Sequence, residues 1–113
     1  RVFLWFQPHG FGPTRFLRDE FVKKLNFTAR PQDTLIFSDI YYAGGSVSKD
    51  ISSQELINDL KSLGSNAHYL PDRQKLPFFL KPELKPGDII LLCAARDPSL
   101  RDFADRVLTE LQS

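Results

Sequence analysis

Short apolar runs alternate with amphipathic stretches along the whole of this chain, and that alternation leaves few folds open. Val2 to Phe6 is a continuous apolar run, as expected for a strand buried on both faces of a parallel sheet. Thr34 to Ile40, Asn66 to Leu70 and Asp88 to Ala94 read as further strands. The first helical pattern runs from about Thr14 to Leu25, with Pro13 suited to its first turn and Leu17, Phe21 and Leu25 on one face. Ser52-Ser53-Gln54-Glu55 has the form of a capping box, in which serine and glutamate satisfy each other's backbone amides. It opens a helix whose buried face is Leu56, Ile57, Leu60 and Leu63, with Gly64 as its stop. Asp72 to Leu84 reads as a helical connection broken by Pro77 and Pro82. Asp97-Pro98 reads as an N-cap followed by proline at the first helical position. The last helix has Leu100, Phe103, Ala104, Val107, Leu108 and Leu111 as its buried face. The order β-α-β-α-β-(α)-β-α predicts an α/β domain: three layers, Rossmann-like, with a mainly parallel sheet and right-handed crossovers.

A length of 113 residues fits a single domain spanning 1–113. Net charge is +1, which gives no footprint for nucleic acid. The longest apolar stretch, Ile89 to Ala95, is far shorter than a membrane span, and no stretch has the layout of a signal peptide. Cys93 is the only cysteine, so a disulfide within the chain is excluded, and a cytoplasmic setting is expected. The sequence has no Met and opens on Arg1-Val2-Phe3, already inside a strand, so a fragment of a longer protein is expected.

Loops that follow strands are where an open α/β sheet builds ligand sites. Gln7-Pro8-His9 follows the first strand. His9 there could donate to a carboxylate or phosphate and Arg15 could clamp one, or His9 could simply close the loop. Gly10-Phe11-Gly12 with Asp39 is a partial dinucleotide fingerprint, but Arg15 occupies the third glycine position. The stretch from Tyr41 to Asp50, with Tyr42, Ser46, Ser48 and Lys49, is either a cleft lining or a surface loop. Asp88 precedes its strand and is structural, whereas Arg96 follows that strand and adds positive charge at a helix start. The expected substrate-binding residues are thus His9, Arg15, Tyr42 and Arg96. The chain has no Gly-rich loop with Lys-Ser/Thr, no nucleophile elbow and no His/Glu metal pair, so no catalytic or metal-ligating residue is expected.

Taken in order, these segments resemble the C-terminal domain of the Mur ligases, most closely the alanine-adding branch. Phe6, Gln7, Pro8, His9, Thr14 and Arg15 match its Phe-Gln-Pro-His-Arg-Tyr-Thr-Arg-Thr-Arg segment. Asp39-Ile40-Tyr41 with Ala43-Gly44 resembles its Asp-Ile-Tyr-x-Ala-Gly, and Ile51-Ser52-Ser53 its serine-rich helix start. His68-Tyr69, Pro71-Asp72 and Pro86-Gly87-Asp88 extend the likeness over nearly the whole chain. The resemblance implies a part in an ATP-dependent amide ligase of peptidoglycan precursor synthesis. Such enzymes activate a UDP-linked muramyl carboxylate as an acyl phosphate, which the amine of an amino acid then attacks. ATP and Mg2+ would be bound mainly by a central domain outside this chain. The C-terminal domain would contact amino acid and nucleotide and swing shut. The family's two arginines inside the loop fall at Gly10 and Pro13, and its Gly-Ala-Gly at Ala94-Ala95-Arg96, so Arg15 and Arg96 remain as candidate cations. The competing readings are a stand-alone anion- or nucleotide-binding module without catalysis, and a degenerate domain serving in protein interaction.

Overall fold

The computed structural model describes residues 1–9, 11–40, 52–94 and 97–113. Its strands are β1 (Val2–Gln7), β2 (Thr34–Phe37), β3 (Ala67–Tyr69) and β4 (Ile89–Ala94), all parallel, in the order β3-β2-β1-β4. Helices α1 (Phe11–Thr28), α2 (Ser53–Ser62), α3 (Leu76–Leu80) and α4 (Leu100–Gln112) connect and follow them, with a 3₁₀ turn at Arg73–Lys75. The expected α/β, three-layer, Rossmann-like architecture is therefore the observed one.

The layers follow from handedness. Right-handed crossovers from β1 to β2 and from β2 to β3 move the same way across the sheet, so α1 and α2 share a face. The return from β3 to β4 runs the opposite way and places α3 on the other face, where α4 joins it. Alternate side chains of β1 serve the two layers. Phe3 and Trp5 pack with Leu76, Leu80, Phe103 and Val107, while Leu4 and Phe6 pack against the cluster of Val22, Leu56, Ile57 and Leu60. Each fully buried side chain of this size contributes about 1.5–3 kcal/mol.

β4 departs from the two-sided pattern. Ile90 and Leu92 pack toward α3 and α4, but Ile89 and Leu91, on the α1 side, are 58% and 49% exposed. The strand lies at the sheet edge, beyond the reach of α1 over β1 and β2.

Several local expectations shift. α1 starts earlier and ends later than its periodicity suggested, and its buried centre is Val22, with Phe21 and Leu25 half-buried and Leu17 exposed. Pro13 still falls in the first turn, where a missing N–H costs nothing. On α2, Leu63 lies past the last helical residue and is exposed, whereas Leu56, Ile57 and Leu60 are fully buried. Gly64 adopts φ +94° and its N–H reaches Lys61 O while Ser65 N–H reaches Leu60 O, a Schellman ending that only glycine enters cheaply. Pro77 opens α3 instead of breaking it, because it stands in the first turn. On α4, Phe103 and Val107 are buried but Leu108 is exposed, since it falls on the flank of the apolar stripe.

At the amino edge of the sheet Asp88 accepts two hydrogen bonds from Arg1, at 3.1 and 2.8 Å, and one from Lys85 N at 2.8 Å. The structural role expected for Asp88 is the observed one. Asp33 similarly accepts from Val2 N, Arg30 N and the Arg30 guanidinium, fixing the entries to β1 and β2.

Candidate functional site at the carboxyl ends of β1 and β4

β1 is followed by a helix on one face of the sheet and β4 by a helix on the other. Their carboxyl ends therefore part at a topological switch point, the crevice where open α/β sheets take ligands. Gln7 ends β1 and is 7% exposed; Pro8 and His9 continue from it. On the α1 side of this edge, Phe6, Pro8, His9, Thr14, Leu17 and Phe21 line a largely apolar cleft of about 240 Å³. His9 is half-buried on its rim. A larger groove of about 480 Å³ lies elsewhere, between the outer surfaces of α1 and α2, and is bridged by Arg18 and Asp59.

On the opposite, α4 side of these strand ends lies a polar network, and among the described residues no buried side-chain polar atom lacks a partner. Arg73, from the 3₁₀ turn after β3, donates from Nη1 to Asp97 Oδ2 at 2.6 Å and to Gln7 Oε1 at 3.5 Å. Its Nη2 donates to Ser99 Oγ at 2.6 Å, and its guanidinium lies 4.8 Å from the Phe103 ring centroid. Asp97 is 4% exposed at its side chain; its Oδ1 accepts from Ser99 N at 2.9 Å and from Ser99 Oγ at 2.6 Å. This arrangement corrects the N-cap reading of Asp97. α4 begins at Leu100 with Ser99 at its N-cap, and Asp97 and Pro98 form the preceding turn, closed by Leu100 N to Asp97 O at 3.2 Å.

The neighbouring strand ends are tied just as closely. The indole N–H of Trp5 donates to Ser38 Oγ at 2.8 Å, and Ser53 Oγ donates to Ser38 O at 2.5 Å, fastening the end of β2 to the start of α2. Tyr69 donates to Asp39, and burial together with that hydrogen bond pushes its hydroxyl up to about 12. Ser52 and Glu55 form the expected capping box, Glu55 accepting from Ser52 N at 2.8 Å.

Of the four residues expected to bind substrate, His9 stands at the end of β1 and Arg15 in the early part of α1. Tyr42 and Arg96 lie outside the described residues, as does the rest of the stretch from Tyr41 to Ile51. Arg73, Gln7 and Asp97 were not singled out together by the sequence. Only the pairing of the strand ends brings their positions, 66 and 24 residues apart, into one cluster. Among the described residues no group of three or more His, Cys, Asp or Glu is placed to hold a metal ion, and no helix is long and apolar enough to cross a membrane.

The fold defines a parallel α/β domain of the Rossmann-like class, with its topological switch point between β1 and β4. No family model matches the chain. By sequence it is related to the Mur ligases, as its motifs indicated. The UDP-N-acetylmuramate–L-alanine ligase of Acetivibrio thermocellus is 37% identical over 97 residues, 86% of this chain and 20% of that protein. That of Cutibacterium acnes is 34% identical over 100 residues, and that of Sorangium cellulosum 33% over 98. The chain spans about a fifth of the length of these curated relatives.

Proposed function

We propose that this chain is the C-terminal, closing domain of an ATP-dependent UDP-N-acetylmuramate–amino acid ligase acting in peptidoglycan precursor synthesis in the cytoplasm. The observation that carries the reading is similarity to L-alanine-adding ligases over 84–88% of the chain, with the Phe6-Gln7-Pro8-His9 segment, which resembles a family motif, at the carboxyl end of β1.

In this reading the muramyl carboxylate attacks the terminal phosphate of ATP, giving an acyl phosphate and ADP. The amine of the amino acid then attacks the acyl carbon and inorganic phosphate leaves. The chain has no phosphate-binding loop; in this reading ATP and Mg2+ are held mainly by a central domain, and this domain contacts the nucleotide as it closes. The share of this domain is positioning. His9 and Arg15 would hold the amino-acid carboxylate, with Tyr42 and Arg96 as the other candidates, and closure would exclude water from the acyl phosphate. The partners are then the UDP-linked muramyl substrate, the amino acid and the other domains of the same protein.

The test is amino-acid-dependent ADP release by the full-length protein supplied with UDP-N-acetylmuramate and ATP, compared with a version lacking residues 1–113 and with 1–113 alone. The reading expects activity only in the full-length protein. Turnover by the version lacking 1–113, or by 1–113 alone, would overturn it.

A further inference from the structure

We infer that Arg73 is a positioning residue for the ligand crevice, holding the strand-end segment of β1 in register with the entry to α4. The inference rests on the reading under Proposed function and adds to it a residue that neither the motifs nor the sequence pattern marks.

Arg73 belongs to neither element that it joins. It comes from the 3₁₀ turn after β3, and its fork reaches the last residue of β1 and the turn after β4 at once. Gln7 is followed directly by Pro8 and His9, so a shift at Gln7 is a shift at His9. Proline's fixed φ leaves little slack between them. At the other end, Asp97 is nearly inaccessible, and a carboxylate so buried must keep its cation. The planar guanidinium meets Asp97 and Ser99 from its two terminal nitrogens while its face lies on Phe103. A lysine ammonium can supply the charge but not this fork. The network sits at the carboxyl ends of β1 and β4, the edge at which this sheet topology takes a ligand. A rivet serving stability alone has no need of that location: the amino-edge carboxylates Asp33 and Asp88 fasten strands just as well away from it.

The experiment is steady-state kinetics of the full-length protein carrying Arg73→Lys, Arg73→Gln, Asp97→Asn, and the Arg73→Gln/Asp97→Asn pair, each assayed well below its own melting temperature. A positioning role expects Arg73→Gln to raise the KM for the amino acid at least about ten-fold, with the KM for UDP-N-acetylmuramate changed less than about two-fold, the factor of ten corresponding to about 1.4 kcal/mol. The pair should lose no more than the worse single variant, because both act through one contact. Arg73→Lys should melt near the wild type yet keep a raised amino-acid KM. That split covers the case in which Arg73→Gln does not fold. A wild-type amino-acid KM in Arg73→Lys, or equal rises in both KM values, would reduce Arg73 to a structural rivet. Absence of amino-acid-dependent turnover in the wild type would instead remove the ligase reading, and this role with it.

Discussion

Arg18 and Asp59 face one another across the α1–α2 interface as fork and carboxylate, at 2.6 Å from Nε to Oδ2 and 3.0 Å from Nη2 to Oδ1. Glu55 adds a second carboxylate 3.5 Å from Arg18 Nη1. Arg18 is thus a strut between two helices whose buried faces meet the same strands.

Removing that strut has a modest, measurable effect. The two side chains are 32% and 33% exposed, so solvent screens part of their attraction. Arg18→Ala is expected to lower the unfolding free energy by about 1 kcal/mol, above an exposed pair because the geometry is bidentate. Urea melts of Arg18→Ala, Asp59→Ala and the double variant check it. Fully additive losses would mean that the two residues act independently.

Trp5 is fully buried, and its indole N–H has Ser38 Oγ as its partner. Ser38→Ala leaves that donor without an acceptor in a dry interior and is expected to cost about 1–3 kcal/mol. Because Trp5 is the only tryptophan, its fluorescence follows the transition directly. An unchanged melting midpoint for Ser38→Ala would show that the indole finds another acceptor.

Stability should fall with acid in two stages. His68 packs edge-on against Phe79 at 5.1 Å, and burial followed by the charge of Lys61 holds its pKa below the usual 6.5. The unfolded chain therefore takes up that proton first, and stability begins to decline as pH falls through about 6.5. Asp33, hydrogen-bonded by Arg30, and Asp88, hydrogen-bonded by Arg1, are both held at about 2. Their contribution is full above about pH 4 and is lost between there and about pH 2. Melting temperatures from pH 8 to 2 check this; His68→Gln should flatten the upper stage and Asp33→Asn should shrink the lower one. A curve with no decline until below pH 2 would contradict both assignments.

Much of this architecture was legible because its determinants are local. The apolar runs of β1 and β2, the capping box at Ser52 and Glu55, and the Schellman glycine each carry their signal within a few residues. What was hidden depends on neighbours distant in sequence. Leu17, Leu63 and Leu108 fit the helical period, yet their exposure is set by what lies opposite each helix face. Ile89 and Leu91 read as core, but the strand order puts them at an edge with one face uncovered. Within the candidate site, Gln7-Pro8-His9 could be found because it follows a strand. Arg73 could not, since a three-residue 3₁₀ turn leaves no periodic trace.

The remaining prediction concerns Arg15. It matches the family segment that ends the β1 loop and lies near the start of α1, at the carboxyl edge of the sheet. If it holds the carboxylate of the incoming amino acid, Arg15→Ala in the full-length protein removes a charge-assisted contact worth about 1.5–3 kcal/mol, roughly a ten- to hundred-fold rise in the amino-acid KM. Arg18→Ala is no neutral control, because it loosens α1 from α2. Arg101, exposed on α4 and away from the α1 layer, serves better, and its replacement by alanine should stay within about 0.5 kcal/mol. Three outcomes are thus distinct: Arg15→Ala raises KM with little change in melting, Arg18→Ala lowers melting with little change in KM, and Arg101→Ala leaves both alone. Equal KM values for Arg15→Ala and Arg101→Ala would make Arg15 a helix-surface charge. The carboxylate contact would then have to come from His9, Tyr42 or Arg96.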